Sequence, residues 1–446
     1  MPTTLSVPVL DARRLVLVVL GFLLGLPASG QTPLYEAEEL FAPQPAHVHG
    51  STIVALPGGQ FLAAWFQGSG ERQADDVAIM GARFDPDTGW STPFLMADTP
   101  DFPDINPVLF RDPRGRVWLV WYTVIAGQWE TSLLKYRICD DPGTNGAPDW
   151  DWQDVILVRP GDPAGYGIQP GDRFVRAIRE KGAAYAAYLR SGGVDPAEWL
   201  AHVAQIDSLA TGRNWIRAGR LYDAEGGFTT QPLGYPYFRR MGWQTRNKPL
   251  VLDDGRILLP LYSDGFDLSI VAITDDLGAH WSFSEPLVGD GNIQPAILAR
   301  DDGTLVAYMR DNGGPPKRLH VSESADRGMT WSPVTDSELP NPGAAADAVE
   351  LANGHWAVIY NDVEEGRSSL AVSISDDEGR TWKWTRHLER DDRPEGARRS
   401  HYPAIIQTAD GSLHAIYTHQ YTGANPARTI KHARFNEAWI RQGDTP

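Results

Sequence analysis

Cysteine is almost missing from this chain: Cys139 is the only one in 446 residues. No intramolecular disulfide can form, whatever the compartment, and Cys139 reads as a buried or semi-buried thiol without chemistry. Positive charge is also scarce. Forty Lys and Arg stand against 57 Asp and Glu, a formal net charge of −17, which argues against nucleic acid as a partner because a phosphate backbone needs a basic footprint. An acidic substrate stays open, since a few arginines can collect in one cleft. The notable apolar run is Leu15 to Leu26, too short for a comfortable membrane span. Arg13-Arg14 precede it and Ala28-Ser29-Gly30 follow, so residues 1–30 read as a secretory signal cleaved before Gln31, with an uncleaved anchor as the alternative. The absence of cysteine there argues against a lipid-modified N-terminus. The expectation is a secreted or periplasmic protein with no stable membrane span after cleavage.

What the chain does contain is a soluble composition, 42% hydrophobic and 22% charged, and a repeated pattern. Thr274-Asp275-Asp276-Leu277-Gly278-Ala279-His280-Trp281, Ser324-Ala325-Asp326-Arg327-Gly328-Met329-Thr330-Trp331 and Ser375-Asp376-Asp377-Glu378-Gly379-Arg380-Thr381-Trp382 all read Ser/Thr-x-Asp-x-Gly-x-x-Trp. Aspartate accepts hydrogen bonds from a turn's own backbone, glycine takes positive φ, and tryptophan packs the turn onto its neighbour. The aspartates are 50 and 51 residues apart, a repeat length that signals a propeller or similar array rather than one sandwich. Six hairpins of one kind join an apolar strand, a Gly-containing turn and a second strand. Their turns are Leu56 to Gly59, Arg111 to Gly115, Leu252 to Gly255, Arg300 to Gly303, Ala352 to Gly354 and Ala409 to Gly411.

The three patterns resemble the Asp-box of the sialidase (neuraminidase) superfamily. Together with the hairpins they predict an all-β fold, a six-bladed β-propeller over residues 31–446, with the strand near Leu34 to Phe41 completing the last blade. Degraded boxes occur at Phe84 to Trp90 and Ile138 to Asp141. The 140 residues between Gly115 and Gly255 exceed one blade. Phe174, Val175, Ile178, Tyr185, Tyr188 and Leu189 recur near a 3.6 period, and Asp195-Pro196 can start a second helix through Leu209, so a helical insertion is expected at about residues 160–230. The alternative is seven blades, with Gly182 as a further hairpin turn.

The resemblance also implies site residues. Arg310 and Arg367 match two arginines of the triad that clamps the substrate carboxylate, where bidentate charge-assisted bonds favour arginine over lysine. Tyr402 matches the nucleophilic tyrosine. Its base in the family is a glutamate, but this chain has Gln294 at that position, and a glutamine cannot take the proton. Asp75, Asp76 and Glu71 occupy the loop of the acid/base aspartate, with the choice among them open. The third triad arginine is replaced by His47-Val48-His49, whose histidines share one strand face; substrate or core hydrogen bonding ranks ahead of a metal pair, because no complete ligand set can be counted. His401, His419 and His432 are further candidates for the missing base. Arg246, Asn341, Asp347 and Arg428, with Asn247, Lys248, Asp264, Asp311 and Asn361, are polar at equivalent ring positions, and Tyr235 to Phe238 with Trp243 offers a stacking wall or an anchor for the insertion.

These residues imply a secreted sialidase-like glycoside hydrolase acting on a glycan with a terminal acidic sugar, sialic or uronic, without cofactor or metal. Two other classes stay in view: a uronate-directed polysaccharide lyase and a non-catalytic glycan-binding propeller. The insertion offers a surface for an oligomer contact.

Overall fold

Strands that are buried on both faces should read as near-continuous apolar runs, and the central strands of this protein do. Val117–Val124, Ile257–Ser263 and Leu268–Thr274 are buried at every residue, because each sheet is covered on both sides by its neighbours. The computed structural model describes residues 31–162, 168, 171–211, 215–217, 220–222, 227, 240–393 and 398–444. The expected signal segment and Tyr235 to Phe238 lie outside them.

Among the described residues six sheets of four or five antiparallel strands follow one another, forming a six-bladed β-propeller. Blade 1 is His47–Ala55, Phe61–Gly68 and Ala78–Asp85, with Gly89–Trp90 and Phe94–Ala97 at its edge. Blade 2 is Asp104–Arg111, Val117–Val124, Ser132–Cys139 and Trp152–Val155; blade 3 is Leu250–Val251, Ile257–Ser263, Leu268–Thr274 and Ser282–Phe283. Blade 4 is Asn292–Ala299, Leu305–Asp311, Arg318–Ser324 and Thr335–Pro340; blade 5 is Asp347–Glu350, Trp356–Tyr360, Ser369–Ser375 and Trp384–Arg390. Blade 6 is Arg399–Gln407, Leu413–Tyr421 and Ala427–Phe435, and its fourth strand is Tyr35–Glu39, with Tyr35 opposite Phe435 and Glu39 opposite Lys431. Pairing the first strand with the last closes the ring. Each of the six hairpin turns joins the first and second strands of its blade.

The region expected to be helical holds α1 (Arg173–Ser191) and α2 (Ala197–Thr211). Asp172 caps α1 by accepting from Val175 N at 3.2 Å, and Asp195 accepts from Ala197 N at 3.1 Å. Gly182 sits inside α1, so it is not a hairpin turn and the seven-blade alternative falls. A Cβ there would meet Val203 Cγ1 at 2.8 Å, so glycine is what lets the two helices close. Phe174 anchors α1 to the ring through Trp243 and Phe266, with centroids 6.1 and 5.7 Å away. Among the described residues no helix is long and apolar enough to cross a membrane. Cys139 is buried, and burial pushes its thiol up to about 11.

The three boxes link the third and fourth strands of blades 3, 4 and 5 with one geometry. Thr274, Ser324 and Ser375 hydroxyls accept from Gly278, Gly328 and Gly379 N at 2.8–2.9 Å, while Asp276, Asp326 and Asp377 accept from the N of His280, Thr330 and Thr381 at 2.8 Å. The glycines stand at φ 80–90° and lie against the preceding blade. A Cβ on Gly379 would fall 2.3 Å from Tyr308 Oη and 2.7 Å from Trp356. Gly379→Ala is therefore expected to lower stability by about 1–3 kcal/mol through strain and overpacking. Gly58→Ala, at φ 75° with nothing within 4 Å of its Cβ, is the strain-only control. Denaturant unfolding of both checks this, and an equal loss would remove the packing role of the box.

Candidate functional site

Four innermost strands carry a β-bulge at the same distance from their hairpin turn. The register shifts fall between His49 and Thr52, Ile105 and Val108, Ile293 and Ala296, and His401 and Ala404. The first extra residues are Gly50, Asn106, Gln294 and Tyr402, all with φ between 47° and 66°. Proline follows in three of them, as Pro107, Pro295 and Pro403. A bulge re-aims a side chain out of the strand's alternation, and here it gathers three polar side chains. Gln294 Nε2 donates to Tyr402 Oη at 3.3 Å, and Asn106 Nδ2 reaches Tyr122 Oη and Tyr262 Oη at 3.1 and 3.3 Å. At the fourth bulge a Cβ would strike Asn106 Oδ1 at 2.6 Å, so Gly50 is required there.

Bulges leave carbonyls without ladder partners, and the segment entering blade 3 satisfies them. Arg246 Nη2 donates to Pro403 O at 2.9 Å and Nη1 to Ser51 O at 3.4 Å; Asn247 Nδ2 donates to Gln294 O at 3.0 Å. Lys248 Nζ donates to Asp347 Oδ2 at 2.6 Å, and the same oxygen accepts from Ile405 N at 2.9 Å. Arg246 is 2% exposed, and its guanidinium lies 5.1 Å from the Tyr402 ring centroid. Arg246 and Asp347 thus hold backbone and neighbouring side chains. Asn341 does likewise, accepting from Gly343 N and Ala344 N at 3.1 and 3.2 Å.

Tyr402 is the centre of the arrangement. Arg310 Nη1 donates to its Oη at 2.9 Å, Arg367 Cζ lies 5.3 Å from its ring centroid, and the His49 ring is 4.1 Å away. Burial alone would raise the phenol pKa. The guanidiniums of Arg310 and Arg367 and the Gln294 amide outweigh it and hold the pKa below the usual 10.0. Every other described tyrosine with a resolved shift moves the opposite way. On the Arg310 flank, Asp264 is pushed up to about 6 by burial against the opposing pull of Arg310.

On the other flank, His47, His49, Glu71, Arg367, Arg399, His401 and Arg428 line a cleft of about 320 Å³. Glu71 Oε1 faces His47 Nε2 at 3.0 Å, and burial does not prevent that contact from holding the carboxylate below its usual pKa. Asp76 is exposed and folds onto its own loop, accepting from Ser69 N at 3.0 Å and Ser69 Oγ at 2.8 Å, which keeps it ionised. Asp75 is exposed. Of the expected site residues, Tyr402, Gln294, Arg310, Arg367 and His49 come together, Glu71 and Arg428 line the adjoining cleft, and Asp75 and Asp76 lie on the surface of their loop.

Sequence reasoning missed Arg399. The signal was available: Arg399 and His401 are two apart on one strand and so share a face. His419 hydrogen-bonds Ser400 Oγ at 2.8 Å, and His432 pairs with His414 at 2.9 Å. Among the described residues no group of three or more His, Cys, Asp or Glu could hold a metal ion.

The family model described as BNR repeat-like domain matches residues 59–156 and 189–415. A sialidase of Micromonospora viridifaciens is 25% identical over 182 residues, which are 39% of this chain and only 26% of that protein's length. Among solved structures, a Dyadobacter fermentans protein of unknown function has a TM-score of 0.59 at 13% identity, over 90% of this chain and 98% of that one. The Hadza microbial sialidase Hz136 gives 0.58 at 15%, over 88% and 66%, and the intramolecular trans-sialidase of Ruminococcus gnavus 0.55 at 15%, over 90% and 96%. At such identities these structures speak for the fold. With more than half its length matched by the family model, the chain belongs to the BNR repeat-like domain family, on the sialidase-type propeller.

Proposed function

We propose that this protein is a sialidase-type glycoside hydrolase, acting outside the cytoplasm, that releases a terminal acidic sugar from a glycan. The observation that carries the reading is the contact of Arg310 Nη1 with Tyr402 Oη at 2.9 Å, with Arg367 Cζ 5.3 Å from the centroid of the same ring. Two guanidiniums flanking one phenol can receive a sugar carboxylate and place the anomeric carbon over the phenol oxygen. Phenols attack poorly while protonated. In place of a base, Gln294 donates to the oxygen, so positive charge and a hydrogen bond favour the phenolate directly.

In the first step the phenolate oxygen bonds to the anomeric carbon as that carbon's bond to the glycosidic oxygen breaks and the leaving oxygen takes a proton from an acid; water then returns a proton to that acid, its oxygen bonds to the anomeric carbon, and the phenolate leaves. We assign the proton donor to Asp75. Glu71 is engaged by His47 and Asp76 by Ser69, whereas Asp75 is the remaining acid of the loop. Elimination from a uronate is the second reading, favoured by the lack of any carboxylate in hydrogen-bond reach of Tyr402 Oη among the described residues: the phenolate would then remove the C5 proton as the C4–O bond breaks, the C4 oxygen leaving with a proton and a C4–C5 double bond remaining.

Assays on aryl sialosides and aryl uronides are expected to show turnover on one panel. Tyr402→Phe and Arg310→Gln should each lower kcat/KM by about a hundredfold or more. Asp75→Asn should harm substrates with poor leaving groups far more than aryl glycosides. Silence on both panels from folded enzyme rejects the reading, and an ultraviolet-absorbing unsaturated product replaces hydrolysis with elimination.

Tyrosinate absorbance followed against pH tests the activation separately. Cations stabilise the charged form, so Tyr402 should ionise in a step below pH 10. Tyr402→Phe should remove that step and Arg310→Gln should move it upward. A curve unchanged by Tyr402→Phe contradicts the proposal.

A further inference from the structure

The cleft beside Tyr402 is more cationic than one sugar carboxylate requires. Three guanidiniums, Arg367, Arg399 and Arg428, face one carboxylate, Glu71. That carboxylate is engaged: His47 lies between the two charges, its Nδ1 accepting from Arg428 Nη1 and its Nε2 facing Glu71 at 3.0 Å. Arg367 donates to the Gly343 carbonyl at 3.0 Å, and Arg399 is exposed. Among the described residues neither has a carboxylate within ion-pair distance, in a chain whose acids outnumber its bases. The cleft is also lined by two imidazoles that are 7% exposed. His49 Nδ1 pairs with Thr418 Oγ1 at 3.0 Å, while His401 Nδ1 is buried without a hydrogen-bond partner. Burial, followed for His401 by the nearby arginines, holds both rings neutral, so each can donate one N–H without adding charge.

We infer that this cleft is a second anion subsite, in which Arg399, Arg428 and His401 hold a compact anionic group while Arg310 and Arg367 take the terminal carboxylate. The substrate is then a glycan with two negative charges, the second a sulfate or phosphate ester or another carboxylate beside the scissile bond. That the anion belongs to a glycan rests on the hydrolase reading; the anion site does not. Guanidiniums bind such groups through paired N–H donors, and the binding weakens as salt rises.

Calorimetric titration of the full chain with inorganic sulfate and with acetate, at constant ionic strength, needs no turnover. One saturable site that responds to Arg399→Gln is expected, besides acetate held at the Arg310 and Arg367 clamp. Arg399→Gln should weaken it about tenfold, roughly 1.4 kcal/mol, and Arg310→Gln by less than about twofold. Arg399 is on the surface, so its replacement leaves the fold intact, which a thermal melt verifies. Tighter sulfate supports an ester as the second group and tighter acetate a carboxylate. No saturable binding of either anion, or loss in Arg310→Gln alone, or equal weakening in both variants, overturns the inference. Binding that behaves as expected in a protein silent on every glycoside removes the hydrolase and leaves the site.

Discussion

Everything at the centre of this propeller depends on a backbone conformation that most residues resist. Gln294, Asn106 and Tyr402 stand at positive φ in bulges of their inner strands, at a cost of about 1–3 kcal/mol each. They persist because the surroundings over-determine them. Proline follows each one, and the carbonyls released by two of the bulges receive Arg246 and Asn247. A single short segment, Arg246 to Lys248, thereby ties blade 3 to blades 1, 4, 5 and 6 across the ring. The result is a phenol aimed where an ordinary strand residue would not point.

The same bulges arrange the charge. A chain with net charge −17 repels anions at long range, yet around Tyr402 the side chains are Arg310, Arg367, Arg399 and Arg428, with neutral imidazoles between them. Short-range guanidinium contacts in a partly desolvated mouth exceed the screened field of a distant acidic surface. Electrostatics of the site and of the whole protein therefore have opposite signs. This favours recognition of an anion by contact over capture at a distance.

The fold was legible because its signals are local. A box of eight residues carries its own hydrogen bonds, so Asp326 and Asp377 repeat the geometry of Asp276. Each hairpin likewise declares its turn. Helices within a β-propeller were readable from the spacing of Phe174, Val175 and Ile178, whereas Gly182 was ambiguous because a glycine serves equally in a hairpin turn and in a tight helix crossing. The site was legible only in part. A polar residue at a ring position can meet a ligand or satisfy a bulge carbonyl, and sequence alone does not separate Arg310 from Arg246. Arg399 escaped because an arginine that directly follows another arginine looks like any surface cation until the ring places it in one cleft with Arg367 and Arg428.

Under the proposed hydrolysis the strained backbone delivers the Tyr402 oxygen to the anomeric carbon. Trapping tests it most directly: incubation with fluorinated sialosyl and uronosyl fluorides, followed by peptide mapping in a mass spectrometer. The account predicts a sugar adduct on the peptide containing Tyr402, absent in Tyr402→Phe. Turnover of these reagents with the adduct on another residue, or with none formed when deglycosylation is slowed, would contradict it.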